Sequence, residues 1–285
     1  MKVVVIGAGG YLGRAVSARL EAHGHAVVRL SSQSGDFDTD TGLLLPTAKL
    51  ASVDAGVYLA QSPYWHAARV RAGHLWNVNV VSALRASTRI ADAGGGRFLY
   101  ASTGNVYEPG FAPHAETDSL DRSSAYSLSK IHAEEGLAVV AGGLDVSVLR
   151  LFGIFGPGQQ GRLFPRLCES IGAGRPVVLQ PAEGDDEPLG LRLSMCHVED
   201  AAEVIVGLLP LHGCPRLNVA APQPTSLFML AKQIGRNIGR APVYQRVEEP
   251  RAADFIADTG LLRSLRLHDF PSLAERVSMS CVGGP

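Results

Sequence analysis

At 285 residues the chain can bury a sizeable core, either as one large domain or as two unequal lobes. Hydrophobic residues make up 46% and charged residues 19%, which excludes a disordered chain, and a formal net charge of −1 gives no broad attraction to nucleic acid or to an anionic membrane. No apolar run is long enough to span a bilayer, and MKVVVIGAGG passes from four apolar residues straight into glycines, so it reads as a first strand and not as a signal peptide. A cytoplasmic protein is expected. The four cysteines (Cys168, Cys196, Cys214, Cys281) form no C-x-x-C pair and read as reduced thiols; the histidines show no ligand spacing, so no metal is expected.

In chain order, Lys2–Ile6 is a short β-branched run of the kind found in buried parallel strands. A glycine-rich turn leads into a helix over Tyr11–Ala22, which Gly24 ends. Strands follow at His25–Leu30 and Val57–Ala60, then a helix over Leu75–Ala93, a strand at Arg97–Ala101, a long helix over Ser123–Gly142 and a strand at Asp145–Leu151. Alternating strands and helices predict right-handed βαβ units and a Rossmann-type, doubly wound parallel sheet. After Leu151 the chain is richer in Gly, Pro and Arg and carries the loop GDDEP at Gly184–Pro188. The expected division is a dinucleotide-binding core over 1–152, with 196–219 returning to it, and a smaller substrate lobe from 153–195 and 220–285.

The turn GAGGYLG places glycines at 7, 10 and 13. Gly7 permits the tight exit from the strand, Gly10 lets backbone approach a pyrophosphate, and Gly13 lets the helix pack close to the sheet. The helix N-terminus, at Tyr11 and Leu12, then offers N–H groups and a positive dipole end to the anion. The position between a strand and a helix favours a dinucleotide site over the alternative, a structural turn without ligand. An acid at the end of the second strand would bond the adenosine ribose and favour NAD; Ser31 and Ser32 stand there instead. Arg14, just after the third glycine, fits either a 2′-phosphate contact or a solvated helix residue, and the expectation tilts slightly to NADP over NAD. Leu59 and Ala60, at the end of the third strand, complete the expected cradle.

Tyr126 and Lys130 lie four residues apart and share a face if their segment is helical. A nearby ammonium favours the phenolate, so the tyrosine can take a proton from a hydroxyl or give one to a carbonyl. Taken alone, such a pair also fits a solvated helix face. Thr103 adds a hydroxyl at the carboxyl end of a predicted strand, where doubly wound sheets bind ligands; Ser102 is the alternative.

These segments together resemble the extended short-chain dehydrogenases/reductases, specifically the NAD-dependent epimerase/dehydratase group, over essentially the whole chain. GAGGYLG resembles the family's nucleotide turn, and YASTGNVYE its S-S/T-x-x-V-Y-G strand end, which puts the catalytic hydroxyl on Thr103. AYSLSKIHAEE resembles its Y-x-x-x-K helix, LRLFGIFGPGQQ its L-R-x-x-N-V-Y-G-P-G-Q segment and MCHVEDAAEVI its H-V-x-D-x-A segment. LNVAAPQPTSLFMLAKQIG and RAADFIADTGLLRSL resemble the later blocks. The resemblance implies NAD(P), a substrate that is often a nucleotide-sugar, and a homodimer formed through long helices such as the one carrying Tyr126. It makes Asn77 the asparagine that supports the catalytic helix, Asp38 or Asp36 a partner of the adenine amino group, Asn105 and Arg251 substrate contacts, and His197 a structural residue. Phe152, Phe155 and Phe164 read as core.

The chain departs from the family pattern at Gly153, which replaces an asparagine, at Leu193, which replaces an arginine, and at Glu108, which replaces a glycine. These changes weaken the case for an ordinary nucleotide-sugar and leave the redox group intact. Gly104 and Asn105 stand where many dehydratases carry an Asp-Glu pair, which disfavours dehydration. The reading is an epimerase or reductase/dehydrogenase acting on a hydroxyl or ketone carbon of a sugar-nucleotide-like or natural-product substrate. The competing reading is a non-catalytic dinucleotide sensor or scaffold, since fold does not fix function.

Overall fold

The computed structural model describes residues 1–184 and 189–281, so the predicted loop at Gly184–Pro188 lies, beyond Gly184, outside the described residues. The chain opens with β1 (Lys2–Ile6), α1 (Tyr11–Ala22), β2 (Ala26–Leu30) and β3 (Ala55–Tyr58). Next, α2 (Ala68–Trp76) runs through a π-helical turn (Asn77–Val81) into α3 (Ser82–Asp92), followed by β4 (Arg97–Thr103), α4 (Ala125–Val140) and β5 (Asp145–Leu151). The later elements are β6 (Ile154–Phe155), α5 (Leu163–Gly172), β7 (Val177–Leu179), β8 (Arg192–Leu193), β9 (Cys196–His197), α6 (Val198–Leu208), β10 (Arg216–Val219), β11 (Thr225–Ser226), α7 (Leu227–Ile238), β12 (Tyr244–Arg246), α8 (Gly260–Leu265) and α9 (Leu273–Cys281).

Two compact units result. One holds Met1–Glu108, Glu116–Leu151 and Ala202–Asn218; the other holds Pro109–Ala115, Phe152–Ala201 and the chain from Val219 on. The first is a Rossmann-type, doubly wound unit around a six-stranded sheet of order β10-β5-β4-β3-β1-β2. β1 pairs in parallel with β2 on one side and β3 on the other, and the parallel register continues through β4 and β5. Val3, Val4, Val5 and Ile6 are all fully buried, so β1 is covered on both faces. Val4 and Ile6 share a core with Ala83, Ala86 and Ile90 of α3 and with Ala133 and Leu137 of α4. Val3 and Val5, alternating with them, face the opposite side. Because β2 and β3 flank β1, the strand order reverses at β1, which opens a crevice at the carboxyl ends of β1 and β3.

The second unit packs Phe155, Phe164, Leu167, Ile171, Leu230, Ile234 and Val277 into its own core. Phe152, Phe155 and Phe164 are buried, as the sequence suggests.

Several predicted boundaries need correction. The third strand is Ala55–Tyr58, two residues earlier than expected, and it starts on small residues for a steric reason: a Cβ on Gly56 would lie 2.6 Å from Ile90 Cδ1. Leu59 and Ala60 therefore follow the strand instead of ending it. The helix expected from Leu75 begins at Ala68 and is interrupted by the π turn, and β4 extends to Thr103. The long helix starts at Ala125, because Ser124 is its N-cap and its hydroxyl accepts from Ser127 N at 3.0 Å.

The β1 exit and α1 pack closely at Gly13. A Cβ on Gly13 would overlap the Gly7 carbonyl oxygen and stand 2.9 Å from Ala8 Cα, both fixed backbone. Gly13→Ala is therefore expected to lower the unfolding free energy by about 2 kcal/mol, read by urea denaturation; an unchanged midpoint would mean that the turn and helix can separate freely.

Candidate active site

The glycine turn is built at the crevice. Gly7 has φ +95, and a Cβ there would meet Ala60 N at 2.6 Å, so the turn and the chain after β3 touch backbone to backbone. Gly7 N and Ala8 N donate to Leu30 O at 2.8 and 3.0 Å, which fixes the turn against the end of β2. Gly10 is the N-cap of α1, has no side chain to cap the first turn, and is followed by no acid there. The positive end of α1, at Tyr11, Leu12 and Gly13, thus carries neither a side-chain cap nor an acid, which suits a pyrophosphate.

Around this turn lie the other expected cofactor residues. Leu59 N donates to Ile6 O at 2.7 Å, carrying the β1–β3 ladder one residue past β3. Ser31 is half-buried and Ser32 exposed, just past β2. The chain doubles back after them, so that Asp36 Oδ2 accepts from Ser31 N at 2.9 Å and from Ser34 Oγ at 2.6 Å. An acid therefore stands at the end of β2 although none follows it directly in sequence. Asp38 closes a turn of its own, accepting from Asp40 N at 3.0 Å and Thr41 N at 2.9 Å; the Thr41 bonds hold its carboxyl below the usual range. Arg14 donates to Gly9 O at 2.8 Å.

Tyr126 and Lys130 sit in the first two turns of α4. Lys130 is 2% exposed; its Nζ donates to Ala101 O at 2.8 Å and lies 4.9 Å from the centroid of the Tyr100 ring. Burial pushes its ammonium down to about 7, against the opposing pull of Glu134. Thr103 ends β4 and its Oγ1 accepts from Asn105 N at 3.2 Å. Asn105 is exposed, and its carbonyl accepts from Ser127 Oγ at 2.7 Å, which ties the turn after β4 to the start of α4. Ser102, the alternative hydroxyl, turns to buried Glu134 and hydrogen-bonds its Oε1. Glu134 in turn pairs with Arg150 of β5 at 2.7 Å, both side chains nearly inaccessible. Alternation along β4 therefore gives the two hydroxyls different work.

A second set of residues was not found from the sequence. Asn79, within the π turn and fully buried, donates from Nδ2 to Ser129 Oγ at 2.9 Å and accepts Ser62 N on Oδ1 at 3.3 Å. Asn77, expected to support the catalytic helix, donates instead to Thr41 O at 2.8 Å; the π turn adds a residue per turn and brings Asn79 round to α4. The Tyr126 hydroxyl donates to Gln61 Oε1 at 3.4 Å, and the Trp65 ring lies 5.7 Å from the Tyr126 ring. The only sequence sign of this set is the aromatic run Tyr64-Trp65 after a strand end.

In the second unit, Arg251 is braced internally: Nε donates to Asp254 Oδ1 at 2.9 Å and Nη1 to Gln180 O at 3.1 Å, with 7% of its side chain exposed. His197 is buried edge-on to Phe155 at 5.4 Å, its Nδ1 accepts from Glu199 N at 3.3 Å, and burial pushes its pKa down to about 4. Gly153 has φ +29, and a Cβ there would overlap Ser194 O, so the departure from asparagine follows from close backbone packing. Among the described residues no three His, Cys, Asp or Glu side chains gather as metal ligands, and no helix is long and apolar enough to cross a membrane.

A family model described as the NAD dependent epimerase/dehydratase family matches residues 3–219, and the chain belongs to that family. No curated protein matches the sequence. Among solved structures, MoeE5 in complex with UDP-glucuronic acid and NAD is 22% identical with a TM-score of 0.80, covering 99% of this chain and 98% of that one. The Thermus thermophilus UDP-glucose 4-epimerase complex with NAD is 19% identical with a TM-score of 0.77 over 99% and 98% of the two chains. TunA, an NAD dependent-NDP-hexosamine 5,6-dehydratase involved in tunicamycin biosynthesis, is 21% identical with a TM-score of 0.81 over 99% and 97%. These are likenesses of fold.

The buried amine makes stability depend on pH. With the folded pKa of Lys130 lowered to about 7, the unfolded chain binds more protons between that value and the free-lysine value of about 10.4. Stability from this group therefore rises with pH across that window, and the full cost of the buried charge is felt below it. Lys130→Met should be more stable than the parent at pH 6 by roughly 2 kcal/mol, with the gain shrinking toward pH 10, in urea titrations at both pH values. An equal difference at both would show that the amine keeps its ordinary proton affinity.

Proposed function

We propose that this chain is an NAD-dependent oxidoreductase of the epimerase/dehydratase type, acting on a hydroxyl or ketone carbon of a sugar-nucleotide-like substrate. The observation that carries the reading is Lys130, buried on Ala101 O one helical turn from Tyr126. A buried charge is costly unless it has work to do or strong partners. Gly7, Gly10 and Gly13 would hold the pyrophosphate, with the cradle completed by Tyr11, Leu12, Leu59 and Ala60. When bound, the dinucleotide supplies the group that accepts and returns hydride.

The chain's own residues handle the proton. Tyr126 takes it from the substrate hydroxyl as that carbon is oxidised and gives it back when the carbonyl is reduced. The Lys130 ammonium stabilises the phenolate through the field between them. Thr103, at the mouth of β4, is assigned the hydrogen bond that holds the reacting oxygen. Asn105, exposed beside it, is assigned a substrate contact. We infer a bracing role for Arg251, because Asp254 and Gln180 already hold its guanidinium.

For the cofactor we propose NAD over NADP, against the tilt of the sequence. The Asp36 carboxylate at the end of β2 can accept from a ribose 2′-hydroxyl and would repel a 2′-phosphate. Arg14, the residue that suggested NADP, donates to Gly9 O. A homodimer through α4 remains part of the proposal; the exposed Val139 and Val140 near its end support it.

The experiment is Tyr126→Phe, assayed for NADH-linked reduction of a UDP-4-ketohexose or the reverse oxidation of UDP-glucose. Turnover is expected to fall at least about 100-fold while NADH affinity stays within a few-fold. A variant that keeps its rate would remove Tyr126 from the chemistry and overturn the reading.

A further inference from the structure

Tyr126 has a neighbour that neither the motif nor the family assignment names. Its hydroxyl donates to Gln61 Oε1 at 3.4 Å, longer than a close O–H···O bond; catalytic hydrogen bonds that are long without ligand tighten when it binds. Gln61 itself is exposed, yet its place is built and not accidental. The next residue, Ser62, is 1% exposed and held three ways: its N–H donates to Asn79 Oδ1 at 3.3 Å, its Oγ bonds His74 Nδ1 at 2.9 Å and it accepts from Tyr64 N at 3.2 Å. The same Asn79 amide donates to Ser129 Oγ, which donates to Tyr126 O at 2.8 Å. One buried amide thus fixes both the residue after Gln61 and the helical turn that carries Tyr126. The Trp65 ring, 5.7 Å from the phenol ring, adds a third point of contact from the same segment.

We propose that Gln61 is a positioning residue for Tyr126: its side-chain amide accepts from the phenol and turns to donate N–H to the phenolate once the proton has left. This rests on the reading that Tyr126 carries the proton. A carboxamide has an acceptor and a donor related by half a turn about one bond, so it can follow the change of charge on its partner without moving the backbone. Donation to an anion is stronger than bonding between neutral groups, so the net effect favours the phenolate. The other titratable groups on the elements around the phenol are Lys130 one turn along α4, Glu134 with its Arg150 partner further on, Tyr100 on β4 and His66 beside Trp65. Of these, Lys130 favours the phenolate only while it holds its proton, and burial lowers its pKa to about 7.

The test is ultraviolet difference titration of tyrosinate in the purified full chain, with Tyr126→Phe identifying the Tyr126 component, followed by Gln61→Leu and Gln61→Glu. Gln61→Leu is expected to raise the Tyr126 midpoint by about one pH unit, and Gln61→Glu at least as far, because a carboxylate then faces the anion. The pH limb of turnover with NADH should move with it. A midpoint unmoved in both variants overturns the proposal, and so does a change confined to substrate KM, which would make Gln61 a binding contact alone. Because the titration needs no turnover, a chain in which Gln61 moves the midpoint but no hydride is transferred would sink the functional reading and not this one.

Discussion

Burying a lysine amine strips it of water, and partners must replace what is lost. In this chain Lys130 gives a hydrogen bond to the Ala101 carbonyl, stands over the Tyr100 ring and lies one turn from Glu134. Glu134 is itself buried and satisfied by Arg150 and Ser102, and Arg150 bonds Glu116 O at 3.1 Å and stacks over Tyr107. Tyr107 reaches Asn218, whose N–H bonds Glu116. A single buried network therefore links β4, α4, β5 and β10, and its open end is the Lys130–Tyr126 face. Leaving one member unpaired would expose the rest to a large desolvation cost. Such a network holds α4 in one register against the sheet.

The glycine turn imposes a second, steric constraint. Gly7 and Gly13 let α1 and the chain after β3 close on β1 backbone to backbone, and the uncapped N-terminus of α1 carries its dipole at the same turn. One constraint sets the path of the chain around the N-terminus of α1 and the other sets the placement of Tyr126 and Lys130. Both lie on the carboxyl side of the same sheet, β1 and β3 for the turn and β4 for the hydroxyl.

What the sequence made legible is what is local. Gly7, Gly10 and Gly13 fall within one turn, and Tyr126 and Lys130 within one helical turn, so spacing alone sets their geometry. The strand β1 announces itself through a β-branched run, β5 through Val146 and Val148, and β4 through the apolar run Phe98-Leu99-Tyr100. What escaped depends on distant partners: Asn79 reaches Ser62 over 17 positions and Ser129 over 50. The π turn defeated the periodicity argument, because one extra residue rotates everything after it and moves the supporting role from Asn77 to Asn79. Asp36, which the sequence offers only as a partner of the adenine amino group, escaped as the acid at the end of β2, because it comes there by a reversal of the chain and not by following the strand. The start of β3 escaped because Ala55 and Gly56 look like a loop until Ile90 and Phe98 are packed against them.

The central claim is that the crevice at β1 and β3 is a dinucleotide site coupled to the Tyr126–Lys130 face. Thermal unfolding of the dinucleotide-stripped protein with saturating NADH or NADPH tests it most directly, since a ligand bound only by the folded state raises the transition temperature. The account predicts a clear rise with NADH and a smaller one with NADPH, both lost in a Gly10 variant carrying a bulky side chain. No rise with either dinucleotide would contradict it.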